Sequence, residues 1–191
     1  HSADNPALVH DYASDGKLIY LKNMTYDANS MPVLLYIVSP GWESGPRNDP
    51  RTWTTARWTG SEWQIRPVTT SDNNYNYGPL SIDADGTWRL IAPTEPGPQA
   101  YNPGGEMVLW TSSDQGDTWQ QVRQLTHGSD YNHTFAKRPV NAHDDFAALW
   151  ADGHGRMQSK SRLYFTNRAG SGVWRLPTNM TADRVEPELL G

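Results

Sequence analysis

Residues 112–119 read Ser-Ser-Asp-Gln-Gly-Asp-Thr-Trp, and this octet decides the fold. Its five defined positions are Ser112, Asp114, Gly116, Thr118 and Trp119, in the pattern Ser-x-Asp-x-Gly-x-Thr-Trp. Asp114 is placed to accept hydrogen bonds from nearby backbone amides, Gly116 to take a positive φ, and Trp119 to open the next strand with a large apolar ring. The octet therefore reads as a staple across a hairpin and not as a catalytic site.

A staple of this kind gains meaning when it recurs at a fixed distance. Gly60-Ser-Glu-Trp63 matches Gly116-Asp-Thr-Trp119 in register, and Gly170-Ser-Gly-Val-Trp174 matches with one inserted residue, so the tryptophans lie 56 and 55 residues apart. An independent marker lies upstream, where an apolar strand runs into a glycine loop at Val33–Gly41, Trp88–Gly97 and Phe146–Gly153; these glycines are 56 residues apart both times. Two unrelated features with one period define an internal repeat, and the octet inside it suggests a β-propeller.

Read as four-stranded blades, the repeat predicts strands at 18–23, 33–39, 53–58 and 63–69, then at 78–83, 88–93, 107–111 and 119–125, then at 137–142, 146–151, 162–166 and 173–177. The expected organisation is a connection from a preceding blade over residues 1–16, blades over 17–71, 72–127 and 128–180, and a C-terminal tail over 181–191. Propellers close with about four to eight blades, so three make only part of a ring. The remaining blades are expected from another chain, a fragment or a symmetry mate, because an isolated arc exposes two apolar blade faces.

Bulk composition agrees with an all-β globular chain. It is 36% hydrophobic and 11% aromatic, with 16 Gly and 14 Pro in short clusters and almost no apolar run at helical period. A net charge of −5 with no Lys/Arg run argues against nucleic acid as a partner. No segment approaches the roughly 20 apolar residues that span a bilayer, so no membrane partner is expected, and the N-terminus lacks a signal-peptide pattern. The chain has no cysteine, which excludes disulfides and thiolate chemistry.

Strands in a blade alternate in direction, so the second-to-third-strand loops and the inter-blade loops share one face, opposite the hairpins. The long connections, 40–51, 94–106, 152–161, 70–77 and 126–135, all belong to that face. They are rich in aromatic, cationic and amide groups, which suit sugar recognition because rings stack on pyranose faces while polar groups bind hydroxyls and any uronate. Tyr77, Tyr131, His133, Arg138 and His154 are the candidate catalytic residues. His10, Trp42, Arg47, Tyr75, Tyr101, Asn102 and Arg156 are the candidate substrate-binding residues. The pairs His10/Tyr12, Tyr75/Tyr77 and Tyr131/His133 occupy corresponding inter-blade loops near the mouth of the central channel.

With Asp130 or Asp152, His133 and His154 form either an acid/base unit or a zinc site, although no C-x-x-C or H-E-x-x-H spacing supports a metal. Each loop histidine also fits a structural or solvated role, and His143 reads as structural. Arg138, just before Pro139, either points into the channel or bridges blades. Trp53, Trp58, Trp63, Trp88, Trp110, Trp119, Trp150 and Trp174 read as inter-blade core, with Trp42 the loop exception.

Trp53-Thr-Thr-Ala-Arg-Trp-Thr-Gly60, Tyr101-Asn-Pro-Gly-Gly-Glu106, Arg138-Pro-Val-Asn-Ala-His143 and Leu149-Trp-Ala-Asp-Gly-His-Gly-Arg156 resemble the bacterial BNR/Asp-box repeat proteins of polysaccharide degradation. Ulvan lyases and related uronate-directed lyases lie within that group, and sialidases share the Asp box at greater distance. The resemblance implies an extracellular or periplasmic protein whose partner is an acidic polysaccharide or oligosaccharide. It implies no certain cofactor, with a structural Ca or Zn ion left open.

The expected reaction is β-elimination. Arg138, Arg47 or Arg156 would steady the uronate carboxylate, His133 or His154 would take the C5 proton, and Tyr131 or Tyr77 would protonate the leaving oxygen. One alternative is a glycoside hydrolase, sialidase-like or other, using Glu43, Glu95, Glu106 or a loop Asp as paired carboxylates. Another is a non-catalytic module that binds glycans or completes another propeller.

Overall fold

Val33 to Val38 are six consecutive apolar residues, a run that reads as a strand covered on both faces. In the computed structural model, which describes Asn5 and residues 7–190, this run is the second strand of an antiparallel sheet built from β1 (Leu18–Tyr26), β2 (Pro32–Ser39), β3 (Arg51–Trp58) and β4 (Trp63–Ser71) in sequence order. A second sheet follows the same order with β5 (Leu80–Ile82), β6 (Trp88–Glu95), β7 (Glu106–Ser112) and β8 (Gln120–Gln124). The third has five strands, β9 (His133–Lys137), β10 (Ala148–Asp152), β11 (Leu163–Thr166), β12 (Val173–Arg175) and β13 (Glu188–Leu190). Apart from one 3₁₀ turn at Pro46–Asn48 the described residues form no helix, so the chain is all-β in blade-like sheets.

The second sheet is the middle layer, and both its faces are covered. One packs Leu80, Trp88, Leu90 and Ala92 against Val33, Leu35, Ile37 and Trp53 of the first sheet. The other packs Ile91, Met107, Leu109 and Leu125 against Ala136, Ala148, Trp150, Tyr164 and Val173 of the third. Burial of an aromatic or aliphatic side chain contributes about 1.5–3 kcal/mol, so these two interfaces hold the layers together. Of the tryptophans expected in the core, Trp53, Trp88 and Trp150 are fully buried. Trp110 and Trp119 pack partly buried against the first interface.

Trp58, Trp63 and Trp174 are only half-buried, because they lie on the outward faces of the two end sheets. The outward face of the first sheet also carries Ile19, Leu21, Met24 and Tyr26, each more than half exposed. That of the third carries a cross-strand row, Leu149, Phe165, Trp174 and Leu189, in which the Phe165 and Trp174 rings stack at 5.3 Å.

The third sheet differs from the expected pattern in two respects. Its inner strand is His133–Lys137 rather than 137–142. The chain locks in at His133, which exchanges both backbone hydrogen bonds with Gly105 at 2.8 and 3.0 Å, whereas Pro139 has no amide to donate and Asn141 turns into the left-handed region at φ 55. Within residues 181–191, expected as a tail, Glu188–Leu190 pairs with β12 as a fifth strand, Leu190 packing against the core. Residues 1–4, 6 and 191 of the expected N-terminal connection and tail lie outside the described residues.

The three hairpins opposite the long loops show how the repeat works locally. In the octet, Asp114 Oδ1 accepts from the Thr118 amide (2.9 Å) and the Ser112 hydroxyl (2.7 Å), and its Oδ2 accepts from the Thr118 hydroxyl (2.5 Å). These bonds, the Thr118 hydroxyl foremost, hold the Asp114 carboxyl down to about 2. The Thr59 hydroxyl accepts the Glu62 amide, and Asn167 Oδ1 the Ser171 amide, at the other two turns. All three turns use a glycine with positive φ: Gly60, Gly116 and Gly170.

Gly116, at φ 89, is also pressed against Trp88, since a Cβ there would lie 2.7 Å from the indole. Gly116→Ala is therefore expected to cost about 1–3 kcal/mol through left-handed strain and contact with a buried ring. Thermal unfolding measures it, and an unchanged Tm would show that the hairpin yields freely.

Candidate functional site

The loops between second and third strands, residues 40–50, 96–105 and 153–162, meet on one face and are joined by few but specific bonds. Arg51 is the anchor of the first loop. It is 1% exposed, donates from Nη2 to Glu43 O at 2.9 Å and Gly45 O at 3.0 Å, and pairs with Asp49. Its guanidinium also lies 5.8 Å from the Tyr101 ring centroid, so one buried cation ties the first loop to the second.

Tyr101 itself sits at φ 59, a conformation held from several sides. Its amide donates to Asp72 Oδ2 (2.7 Å), and its carbonyl accepts from Asn73 Nδ2 (2.7 Å) and the Ser44 hydroxyl (3.1 Å). Burial raises the Asp72 carboxyl, with the Tyr101 amide opposing it. Ser44 in turn accepts from Arg156 Nη2 of the third loop. Ser44 thereby brings together two predicted substrate-binding residues, Tyr101 and Arg156, that lie in different loops.

The remaining predicted binding residues scatter over this face. Trp42 is 70% exposed and lines a shallow depression of about 640 Å³ with Arg47. Tyr75 is exposed, with Tyr20 edge-on at 5.7 Å. His10 pairs with Asp15 at 2.6 Å and stands edge-on to Tyr12. Asn102 is buried and reaches the structure through its backbone, donating to Gln99 O at 3.1 Å.

The predicted catalytic residues separate. His133, expected near the mouth of a central channel, turns inward instead. It is 4% exposed, packed against Trp150 and Tyr164 between the second and third sheets. Trp150 Nε1–H, a donor only, donates a hydrogen bond to His133 Nδ1 at 2.9 Å. Nδ1 is then the acceptor nitrogen of a neutral ring, and Nε2–H donates to Ser129 Oγ at 2.9 Å.

The Ser129 hydroxyl donates to Glu106 Oε2 at 2.8 Å, while Glu106 also accepts from the Thr126 hydroxyl (2.6 Å) and the Ser129 amide (2.9 Å). Burial lowers the His133 pKa against the opposing pull of Glu106 and Asp152. The reason for the displacement is the early start of β9, which turns the His133 side chain onto the sheet interface. The Glu106–Ser129–His133–Trp150 chain escaped sequence reasoning because its members come from three strands and a loop.

Next to this chain opens a cleft of about 340 Å³ lined by Ser129, Asp130, His133, Asp152, Arg162 and Tyr164, among others. Asp152 accepts from the Tyr164 hydroxyl at 2.7 Å and from the Arg162 amide at 2.6 Å. Burial first, and then this carboxylate, push the Tyr164 phenol up to about 12. It is a firm hydrogen-bond donor there.

His154 remains in the third loop, half-buried, its amide donating to Ser159 Oγ at 2.8 Å and its Nδ1 accepting the Arg156 amide at 3.2 Å. Tyr131 is half-buried in the loop between β8 and β9. Tyr77 lies at the inner strands beside Lys137, with Arg138 exposed just past β9. Among the described residues no three His, Asp or Glu side chains group as metal ligands, and no helix is long and apolar enough to cross a membrane.

Comparison with known proteins places the fold but not the reaction. No family model matches the chain, and no curated protein matches it. Among solved structures it is similar to an ulvan lyase of polysaccharide lyase family PL25 bound to a repeat of GlcA and Rha3S, at a TM-score of 0.54 and 16% identity over 80% of this chain. The matched region is 33% of that protein, so the chain spans about a third of the length of its structural neighbour.

Proposed function

We propose that this chain forms three blades, over residues 17–71, 72–127 and 128–180, of a propeller that cleaves a uronate-containing polysaccharide by β-elimination. The observation that carries the reading is the joined loop face, where Trp42, Tyr75, Arg47 and Arg156 stand exposed around the Ser44–Tyr101 junction. Exposed rings and guanidinium groups on a rigid support suit an acidic sugar. The likeness to a lyase solved with a glucuronate-containing ligand supports the same class of substrate, and a polysaccharide substrate fits an extracellular or periplasmic protein.

In such a reaction a base removes the proton at C5 of the uronate while an arginine steadies the charge spreading onto the carboxylate. The C4–O bond then breaks, a C4–C5 double bond forms, and an acid returns a proton to the leaving oxygen. With both ring nitrogens of His133 engaged, His154 carries the base role in this proposal, Arg47 or Arg156 the carboxylate, and Tyr77 or Tyr131 the acid. The hydrolase alternative loses Glu106, which is buried and saturated by three donors, and keeps Glu43, Glu95 and the loop aspartates. The outward apolar faces of the first and third sheets support further blades as partners, and the mass of the purified assembly reveals them.

The deciding assay incubates that assembly with acidic polysaccharides, sulfated and unsulfated, and follows the ultraviolet absorbance of an unsaturated uronate. The expected result is a rise in absorbance that His154→Ala slows by about 10²–10⁴. New reducing ends without absorbance would establish a hydrolase instead, and binding without turnover a glycan-binding module.

A further inference from the structure

Two of the three inner strands depart from regular pairing, and both departures aim a side chain at Tyr77. In β1 the register with β2 shifts between Leu21 and Asn23, leaving Lys22 as the extra residue. In β9 the register with β10 shifts so that Phe135 and Ala136 fall opposite the single residue Trp150. Bulges of this kind re-aim side chains and gather next to functional sites. Phe135 stacks on Tyr77 at a centroid distance of 5.3 Å and an interplanar angle of 25°. Lys137 Nζ lies 3.4 Å from the Tyr77 ring centroid, and Lys22 Nζ lies 5.7 Å from it.

Two of these residues are held in unfavourable settings. Phe135 has φ 62, a region unfavourable for a bulky residue, and yet its ring is 58% exposed. Lys22 is 5% exposed, and its ammonium donates to Asn74 O at 2.6 Å, a neutral partner. Burial brings its pKa down to about 8. Residues 18–26, 80–82 and 133–138, the inner strands and Arg138, hold three cations and no Asp or Glu. In a chain of net charge −5, this axial surface has the opposite sign.

We infer that Phe135, Tyr77 and Lys137 form a subsite for one anionic sugar unit, the rings supporting the pyranose face and the Lys137 ammonium its carboxylate or sulfate, while the buried Lys22 adds positive charge behind Tyr77 without touching the ligand. Beside it lies a cleft of about 230 Å³, small enough for a single unit, to which Tyr77, Lys137 and Arg138 contribute and Phe135 and Lys22 do not. The inference rests on the acidic-polysaccharide reading above and adds Phe135, Lys137 and Lys22, which that reading does not use, around Tyr77, which it offers as an acid.

The test is titration calorimetry on the full chain with three probes: a uronate oligomer free of sulfate, a sulfated oligosaccharide free of uronate, and a neutral oligosaccharide. At least one anionic probe is expected to bind about tenfold or more tighter than the neutral one, and which one it is distinguishes carboxylate from sulfate. Phe135→Gly should weaken that binding about tenfold while Tm stays level or rises, because glycine relieves the positive φ. Lys137→Gln, a change at an exposed side chain, should bring anionic affinity down to the neutral level. Arg123→Gln on β8 is the control, with unchanged binding.

Wild-type affinity in Lys137→Gln or Phe135→Gly overturns the subsite. A lower Tm with retained affinity in Phe135→Gly makes the ring a packing residue and also overturns it. A wild-type chain that binds neither anionic probe overturns both the subsite and the acidic-polysaccharide reading. Binding that depends on Phe135 and Lys137 without any unsaturated product retains the subsite and removes only the lyase reaction.

Discussion

His133→Leu is expected to destabilise the chain by about 3 kcal/mol, as the sum of an orphaned buried donor and a broken network. The ring joins Trp150 Nε1 to Ser129 Oγ and, through it, to Glu106. Leucine fills much of the volume but leaves the indole N–H without an acceptor and frees Ser129 from one partner. His133→Gln, which carries one acceptor and one donor, is expected to lose less. Urea denaturation of the three proteins checks the order, and a leucine variant as stable as the wild type would show that the chain of bonds is dispensable.

The same residue gives a pH dependence with a definite sign. Burial depresses the folded pKa of His133 below an unfolded value near about 6.5. Between the two values the unfolded chain binds more protons than the folded one, so stability rises with pH there. The His133 contribution is therefore fully present above about pH 6.5 and is lost as pH falls toward the folded pKa. Stability measured from pH 7 to 5 should fall in the wild type more steeply than in His133→Leu, and parallel curves would contradict the buried neutral ring.

Arg51→Met is expected to cost about 2–3 kcal/mol, because it strands the carbonyls of Glu43 and Gly45 while Asp49, 40% exposed, is left to water. Methionine replaces the stem but none of the donors to Glu43 O, Gly45 O and Asp49. Arg51→Lys should rescue little, since a point ammonium does not span partners arranged around a planar fork. Because the anchored loop carries Trp42, Arg47 and Ser44, acidic-oligosaccharide affinity should fall with stability even though Arg51 is buried. Protease sensitivity confined to residues 40–50 would locate the effect, and a stable variant with a protected loop would refute it.

Much of the strand layout was legible because apolar runs and hairpin signals fall at one period. The Val33–Val38 run, the Trp88–Pro93 segment and the octet at 112–119 each carry their structural reason locally, in burial on both faces or in a turn that needs Gly116. The third inner strand was not legible. The expected strand 137–142 offers apolar Val140 and Ala142 in alternation, but Pro139 and the positive φ of Asn141 end the pairing, and only the bond exchange between His133 and Gly105, 28 positions apart in sequence, sets where it begins. Glu188–Leu190 was missed for the same reason, since three residues acquire strand character only from the edge of β12.

The candidate site was legible as a face but not as a constellation. The sequence by itself determined the all-β class, the 56-residue repeat, the hairpin turns and the set of long loops that hold the aromatic and cationic groups, because each of these depends on short-range backbone preference and apolar periodicity. Tertiary structure alone decided that His133 turns inward to Trp150 and Glu106, that Ser44 links Tyr101 to Arg156, and that Lys22 and Phe135 converge on Tyr77. Those outcomes rest on register and on bulges, where one residue more or less in the pairing sends a side chain to the opposite face.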